Sequence, residues 1–285
     1  MLATLDHIVI AVGDLEAATE VQTRLLGRRP SWRGVHPTFG TANTLFRLDN
    51  LYVELLALRG SGGFAVPLAE WIERRGEGLF ALAFGTPDVA AAALEFRQNG
   101  LSAQEPAEGL GTESTKGTER RWSTVFLPTA ETRGITLFAI EHRSAANLLP
   151  SAVPVEDEAS AISGCDHVVV RTSDPDRSSD LYGRQLGLRL ALDKRFPEWG
   201  IRLVFFRIGG VTVELAAPLA TTERDGEDHL WGVSYRTKDV EAVRRRLVRE
   251  GFDVSEVRPG RKPGTRVSTV NGEPSGVATL LIAHD

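Results

Sequence analysis

The feature that most constrains this chain is a gapless internal repeat. Laying residues 5 to 58 on residues 165 to 218, a shift of 160, matches Asp6 with Asp166, His7 with His167 and Asp14 with Asp174. The match continues through Leu26 and Gly27 with Leu186 and Gly187, and ends with Val53-Glu54-Leu55 on Val213-Glu214-Leu215. Two copies of one pattern this long mean two copies of one fold. The chain of 285 residues accommodates that, as two domains of about 140 residues each with its own core.

Each copy has the same grammar. An apolar strand ("LDHIVIAV", "CDHVVVRT") leads to a helix capped by Asp14 or Asp174 and stopped by Gly27 or Gly187. Three strands follow, expected near 28–33, 43–48 and 52–57 in the first copy. A looser pair, residues 79–100 and 230–251, reads as another strand and helix with Thr86 and Thr237 as caps. The expected architecture is α+β, strand-helix-strand-strand-strand four times, with mixed sheets curled into cups. Residues 1–142 form one domain and 165–285 the other, joined by a Ser-, Ala- and Pro-rich linker at 143–164 that lies outside both sheets. Short connections favour pairing of modules adjacent in sequence over pairing of the first with the third.

A net charge of -5 gives no general attraction to nucleic acid or acidic membranes, so a small molecule is the expected partner of a monomer or homodimer. The single cysteine, Cys165, rules out an internal disulfide framework and a cysteine zinc cage. No apolar run approaches the roughly 18 residues of a membrane span, and the first strand starts too early for a cleaved signal to precede it. The expected location is cytoplasmic.

With these modules, the sequence resembles the vicinal oxygen chelate superfamily, which includes glyoxalase I, extradiol dioxygenases and bleomycin-binding proteins. The first half, with "HPTFGTANTLFRL" and "YVELLAL", is similar to the glyoxalase-like domain family, and the second to a general glyoxalase/bleomycin-resistance domain. The resemblance implies a divalent metal, Zn, Ni, Mn or Fe, inside a cup, or a metal-free remnant of such a site.

Strand alternation puts His7 on one face with Leu5, Val9 and Ala11, and Glu54 on one face with Tyr52 and Leu56. The family arrangement sets these strands side by side, so His7 and Glu54 are candidate metal ligands, and His167 and Glu214 form a weaker second pair. The family's further histidine is replaced by Ala81 and Gly232, so Glu141 is the expected third ligand of the first cup, with Glu54 or Glu141 as the catalytic base. In the second, His284 and His229 have the wrong parity.

His36, in a loop beside Pro37, Arg47 and Trp122 are candidate substrate-binding residues; a turn-bonded, surface-paired or core role is the alternative for each. Residues 108–120 read as a polar loop, either a lid or an insertion, and 258–266 as a basic one. The reaction class implied is metal-assisted lyase or isomerase chemistry through an enediolate or oxyanion. The alternative is a protein that encloses an aromatic or drug-like molecule without turnover. An extradiol dioxygenase is disfavoured, because of its expected iron ligands only His167 is present.

Overall fold

A computed structural model describes residues 1–220 and 226–284. The first half runs β1 (Thr4–Ala11), α1 (Leu15–Leu26), β2 (Trp32–His36), β3 (Thr41–Arg47), β4 (Tyr52–Leu58), α2 (Ala65–Arg75), β5 (Gly78–Gly85), α3 (Val89–Gln98), β6 (Ala107–Glu113), β7 (Glu119–Phe126) and β8 (Thr136–His142). The second runs β9 (Ile162–Arg171), α4 (Pro175–Asp180), β10 (Arg189–Phe196), β11 (Ile201–Ile208), β12 (Val211–Pro218), β13 (His229–Thr237), α5 (Val240–Arg249), β14 (Arg258–Pro259), β15 (Thr265–Val270) and β16 (Ala278–His284).

In the first half β1 pairs in parallel with β4 and antiparallel with β5, and in the second β9 does the same with β12 and β13. Modules therefore pair with their neighbours in sequence. The two sheets differ in one respect that the repeat conceals. The first is a closed barrel in the order β1-β4-β3-β2-β6-β7-β8-β5, whereas the second is open, running from β10 at one edge to β14 at the other. The expectation of two cups is corrected to one barrel and one cup.

The barrel closes where β2 meets β6, with Gly34 opposite Glu113 and Val35 opposite Thr112. Gly34 permits that approach, because a Cβ there would stand 2.7 Å from the Thr112 carbonyl oxygen. Of residues 108–120, expected as a loop, 108–113 form this closing strand and 119–120 the start of β7, with only 114–118 left as the turn between them. The closing strand's alternation was hidden because Gly109 and Gly111 leave room for the Trp122 ring.

Local chemistry sets the helix ends. Asp14 accepts hydrogen bonds from the Glu16 and Ala17 amides, and Gly27 takes the left-handed conformation that ends α1. In the other modules the caps are Asp88 and Asp239, not Thr86 and Thr237, since a carboxylate two residues on reaches the free amides of the first turn. Helix α2 lies in the connection between β4 and β5. Residues 143–161 run along the barrel, with the Ala152 amide donating to the Arg47 carbonyl, the Arg29 amide to that of Val153, and Leu149 buried against the cavity-lining Trp32, Leu45 and Tyr52. The last residues of the expected linker, from Ile162, already belong to β9.

The larger core lies on the helix-covered faces and takes in both halves: Leu5, Ile8 and Ile10 with Leu25 and Leu26, and Val168 and Val170 with Val243 and Leu247. A second cluster, including Val9, Leu56, Phe80, Phe138 and Ile140, faces the barrel interior. Burying such side chains contributes about 1.5 to 3 kcal/mol each. Among the described residues, no helix is long and apolar enough to cross a membrane.

Candidate functional site

The barrel interior is organised by a bulge in its first strand. Leu5 lies opposite Phe84 and His7 opposite Ala83, so Asp6 is an extra residue with no partner in β5. The bulge breaks the simple alternation expected for this strand. Leu5 turns to the helix-side core, and Asp6 comes beside His7.

His7 Nδ1 stands 2.7 Å from Asp6 Oδ1, and the other Asp6 oxygen is 3.0 Å from His142 Nε2. Burial opposes ionisation of Asp6, but hydrogen bonds and charge from His142 and His7 outweigh it and hold the carboxyl well below the usual carboxylate range. His7 Nε2 faces Glu54 Oε2 at 3.4 Å, and its ring stacks on Tyr52 with centroids 4.3 Å apart. The second half repeats the bulge at Asp166, with Cys165 opposite Tyr235 and His167 opposite Ser234. It also repeats the chain of contacts: His167 to Asp166 at 2.9 Å, Asp166 to His284 at 2.7 Å and His167 to Glu214 at 3.5 Å.

His7 and Glu54 lie in the wall of a pocket in the barrel interior, about 770 Å³ when the open solvent at its mouth is counted with it. Most of the wall is apolar or aromatic, with Trp32, Phe64, Phe80, Trp122, Phe126 and Phe138 among the lining residues. A polar chain runs along one side. Glu54 Oε1 accepts from Asn43 Nδ2 at 2.7 Å, and that nitrogen is 3.1 Å from His36 Nε2. Burial, with the charges of Arg120 and His7 acting the same way and Glu54 opposing, pushes the His36 imidazole below its usual value. A neutral ring that accepts from Asn43 carries its proton on Nδ1, 2.9 Å from the Thr41 hydroxyl. The Asn43 amide is thereby fixed, which leaves its buried Oδ1 without a partner.

The structure thus brings together His7, His36, Glu54 and Trp122, and places His36 at the buried end of β2 rather than in an exposed loop. Two expected residues lie elsewhere. Glu141 faces away from the interior, because Phe138, Ile140 and His142 take the inward positions of β8; it accepts instead from the Val89 amide at the start of α3 and pairs with Arg143. Arg47 donates to the Ala146 and Leu149 carbonyls and so holds the linker.

Asp6, Asn43, Arg120 and His142 were not singled out from the sequence. The match of Asp6 with Asp166, together with a histidine closing each last strand, was the available signal for two of them.

A divalent ion needs three or four protein donors at about 2.0 to 2.3 Å in a site of this kind. His7 Nε2 and Glu54 Oε2 are spaced as two ligands of one tetrahedral ion would be, but His36 Nε2 is taken by Asn43 and Asp6 lies on the far side of the His7 ring. Among the described residues no three His, Cys, Asp or Glu side chains are grouped to hold a metal. Two donors fall short of what that chemistry requires.

Comparison with known proteins agrees with this architecture. The family model described as "Glyoxalase-like domain" matches residues 5–163, and that of the "Glyoxalase/Bleomycin resistance protein/Dioxygenase superfamily" matches 166–269. An ethylmalonyl-CoA/methylmalonyl-CoA epimerase of Cereibacter sphaeroides is 30% identical over 113 residues, covering 38% of this chain and 82% of that protein. Among solved structures, a variant of 4-hydroxymandelate synthase from Streptomyces coelicolor superposes with a TM-score of 0.69 at 16% identity, over 100% of this chain and 93% of that one. A hypothetical protein from Staphylococcus aureus gives 0.68 at 9% identity, over 99% and 100%. At these identities the two structures speak for the fold alone. The chain belongs to the vicinal oxygen chelate superfamily, and its first half to the glyoxalase-like domain family.

Proposed function

We propose that the first barrel binds a small, mainly apolar molecule with one oxygenated end and moves a proton at that end, as an isomerase or lyase does. The observation that carries this reading is the buried His7 and Glu54 pair set into an otherwise aromatic cavity. Glu54 is the base that takes a proton from a carbon next to a carbonyl. His7 Nε2 donates to the oxyanion that develops, and Asp6 at Nδ1 orients the ring and balances its charge. The apolar walls exclude water, which strengthens each of these interactions. The relative's activity as an epimerase supports the reading, since inverting a carbon centre beside a carbonyl is a proton removal and return.

Hydrogen exchange tests it. A panel of small carbonyl compounds is incubated with the protein in D2O and followed by NMR. The wild type should exchange the proton of at least one compound, and Glu54→Gln should slow this by about a hundredfold or more. Equal exchange in both would remove Glu54 as base. Metal analysis of the purified protein, compared with His7→Ala, tests whether an ion contributes.

A second reading, enclosure without turnover, has its own support. Both Glu54 oxygens already face a partner, Asn43 and His7. Binding without exchange across the panel would favour it.

A further inference from the structure

Three arginines are buried among the described residues, and their surroundings differ in kind. Arg28 donates from Nε to the Ile162 carbonyl and from Nη1 to that of Ala152, and pairs through Nη2 with Glu158 at 2.8 Å. Arg246 reaches the Ser160 carbonyl at 2.7 Å, the Leu25 carbonyl at 2.9 Å and the Arg24 carbonyl, so that it ties α5 to the end of α1. Every guanidinium nitrogen of these two has an acceptor. Arg120 is 8% exposed and lines the barrel cavity, yet its one partner among the described residues is the face of Trp32, 5.5 Å from the ring centroid.

Burying a cation without a counter-charge is unfavourable, because the charge gives up hydration and gains no partner in return. The barrel's own carboxylates do not relieve it. Glu54 is engaged by Asn43 and His7, and Asp6 by His7 and His142. His36, whose imidazole feels the Arg120 charge, is pushed toward its neutral form, chiefly by burial, and supplies no compensation. The position is aimed by strand geometry. Arg120, Trp122, Thr124 and Phe126 alternate along β7, and all four line the cavity.

We infer that the ligand of this barrel is an organic monoanion, a carboxylate on an apolar or aromatic body, and that Arg120 binds its charged group. The inference rests on the reading of the barrel as a small-molecule site. The guanidinium fork matches the two oxygens of a carboxylate, and Trp32 supports the pair from one side. A phosphoryl dianion fits less well, because Arg120 is the only Lys or Arg among the described lining residues and the Glu54 carboxylate lies in the same lining. The remaining walls suit a hydrocarbon body. The second half has no equivalent: by strand register, Trp122 opposite His142 corresponds to Thr265 opposite His284, which puts Pro263 at the position of Arg120.

The test uses matched probes, phenylacetate to 5-phenylpentanoate and the uncharged amide of each, titrated by calorimetry and by tryptophan fluorescence. At least one acid should bind saturably to the wild type and at least about tenfold more tightly than its amide. Arg120→Met should abolish that preference while leaving amide binding within about twofold, and should melt no lower than the wild type, since removing an unpaired buried charge does not destabilise. Arg120→Lys, which keeps the charge without the fork, should retain part of the preference and serves if the Met variant does not fold. Equal binding of acid and amide, or a preference that survives in Arg120→Met, overturns the inference while the small-molecule reading stands. Failure of both series to bind the wild type overturns the two together.

Discussion

The two halves of this chain carry the same chain of contacts, from a glutamate through a strand histidine and a bulged aspartate to a histidine at the last strand, yet among the described residues only the first sheet closes into a barrel around it. The difference lies in residues that the repeat does not share. Where the barrel has Gly34 at its seam, the open sheet has Lys194, and where β6 spans Ala107–Glu113, β14 is only Arg258–Pro259. Where the barrel lines its wall with His36, Thr41 and Asn43, the cup has Phe196, Ile201 and Leu203 in the same register. Tyr52, stacked on His7, corresponds to Thr212. The aspartate-histidine arrangement therefore belongs to the repeat itself, while closure of the barrel and much of its lining come from unrepeated residues. Repetition identified the fold; departures from it identify the pocket.

The seam offers the most severe way to break this comparison. A Cβ at Gly34 would lie 2.4 Å from Trp32 Nε1 as well as 2.7 Å from the Thr112 carbonyl oxygen, and backbone cannot give way as a side chain tip does. Gly34→Val should therefore lower the unfolding free energy by about 3 kcal/mol and abolish binding in the cavity. Lys194→Gly, the matching exchange where no seam exists, should cost below about 1 kcal/mol. Urea unfolding of both variants checks this, and a Gly34→Val protein that is stable and still binds would show that closure is not what makes the pocket.

A smaller effect sharpens what the halves have in common. The carboxyls of Asp6 and Asp166 are both held well below the usual range, by their two histidine partners against the cost of burial. A carboxyl whose pKa is depressed on folding stabilises the protein above its unfolded value of about 4, and this contribution is lost as pH falls toward the folded value. Asp6→Asn should thus cost about 1.5 kcal/mol at pH 7, with the gap to the wild type closing below about pH 4. Asp166, whose side chain is 25% exposed against 16% for Asp6, should show the same profile at smaller amplitude. Denaturation across pH measures both, and a gap as large at pH 2 as at pH 7 would remove the carboxylates as its cause.

Much of the fold was legible because it depends on local signals. The aspartate caps at Asp14 and Asp174, the glycine stop at Gly27 and the module order follow from single residues whose chemistry leaves little choice. What was not legible depends on register. One extra residue at Asp6 reverses the direction of Leu5, and one position separates the outward Glu141 from the inward His142. In β6 the glycines that accommodate Trp122 erase the alternation that marks a strand. Arg120 shows why a residue of interest can escape sequence reading altogether: among 33 basic residues nothing marks it until the structure shows it buried without an ion pair among the described residues.

The mildest test concerns the open cup. Arg261, exposed in the loop between β14 and β15, lies over the Trp199 ring at 4.3 Å, and Trp199 sits between β10 and β11. This contact bridges the gap between the two edge strands that, in the first half, backbone pairing closes. An exposed cation over an aromatic face contributes about 0.5 to 1 kcal/mol, so Arg261→Ala should change stability by no more than that. Its electrostatic effect should be easier to see. Burial raises the Glu214 carboxyl above its ordinary range, and the charges of His167 and then Arg261 draw it partly back. Removing Arg261 should move the Glu214 midpoint further up, read by NMR titration of its side-chain carboxyl carbon. If the midpoint does not move, the loop is not held over the cup in solution, and the second half is open along its whole seam rather than loosely bridged.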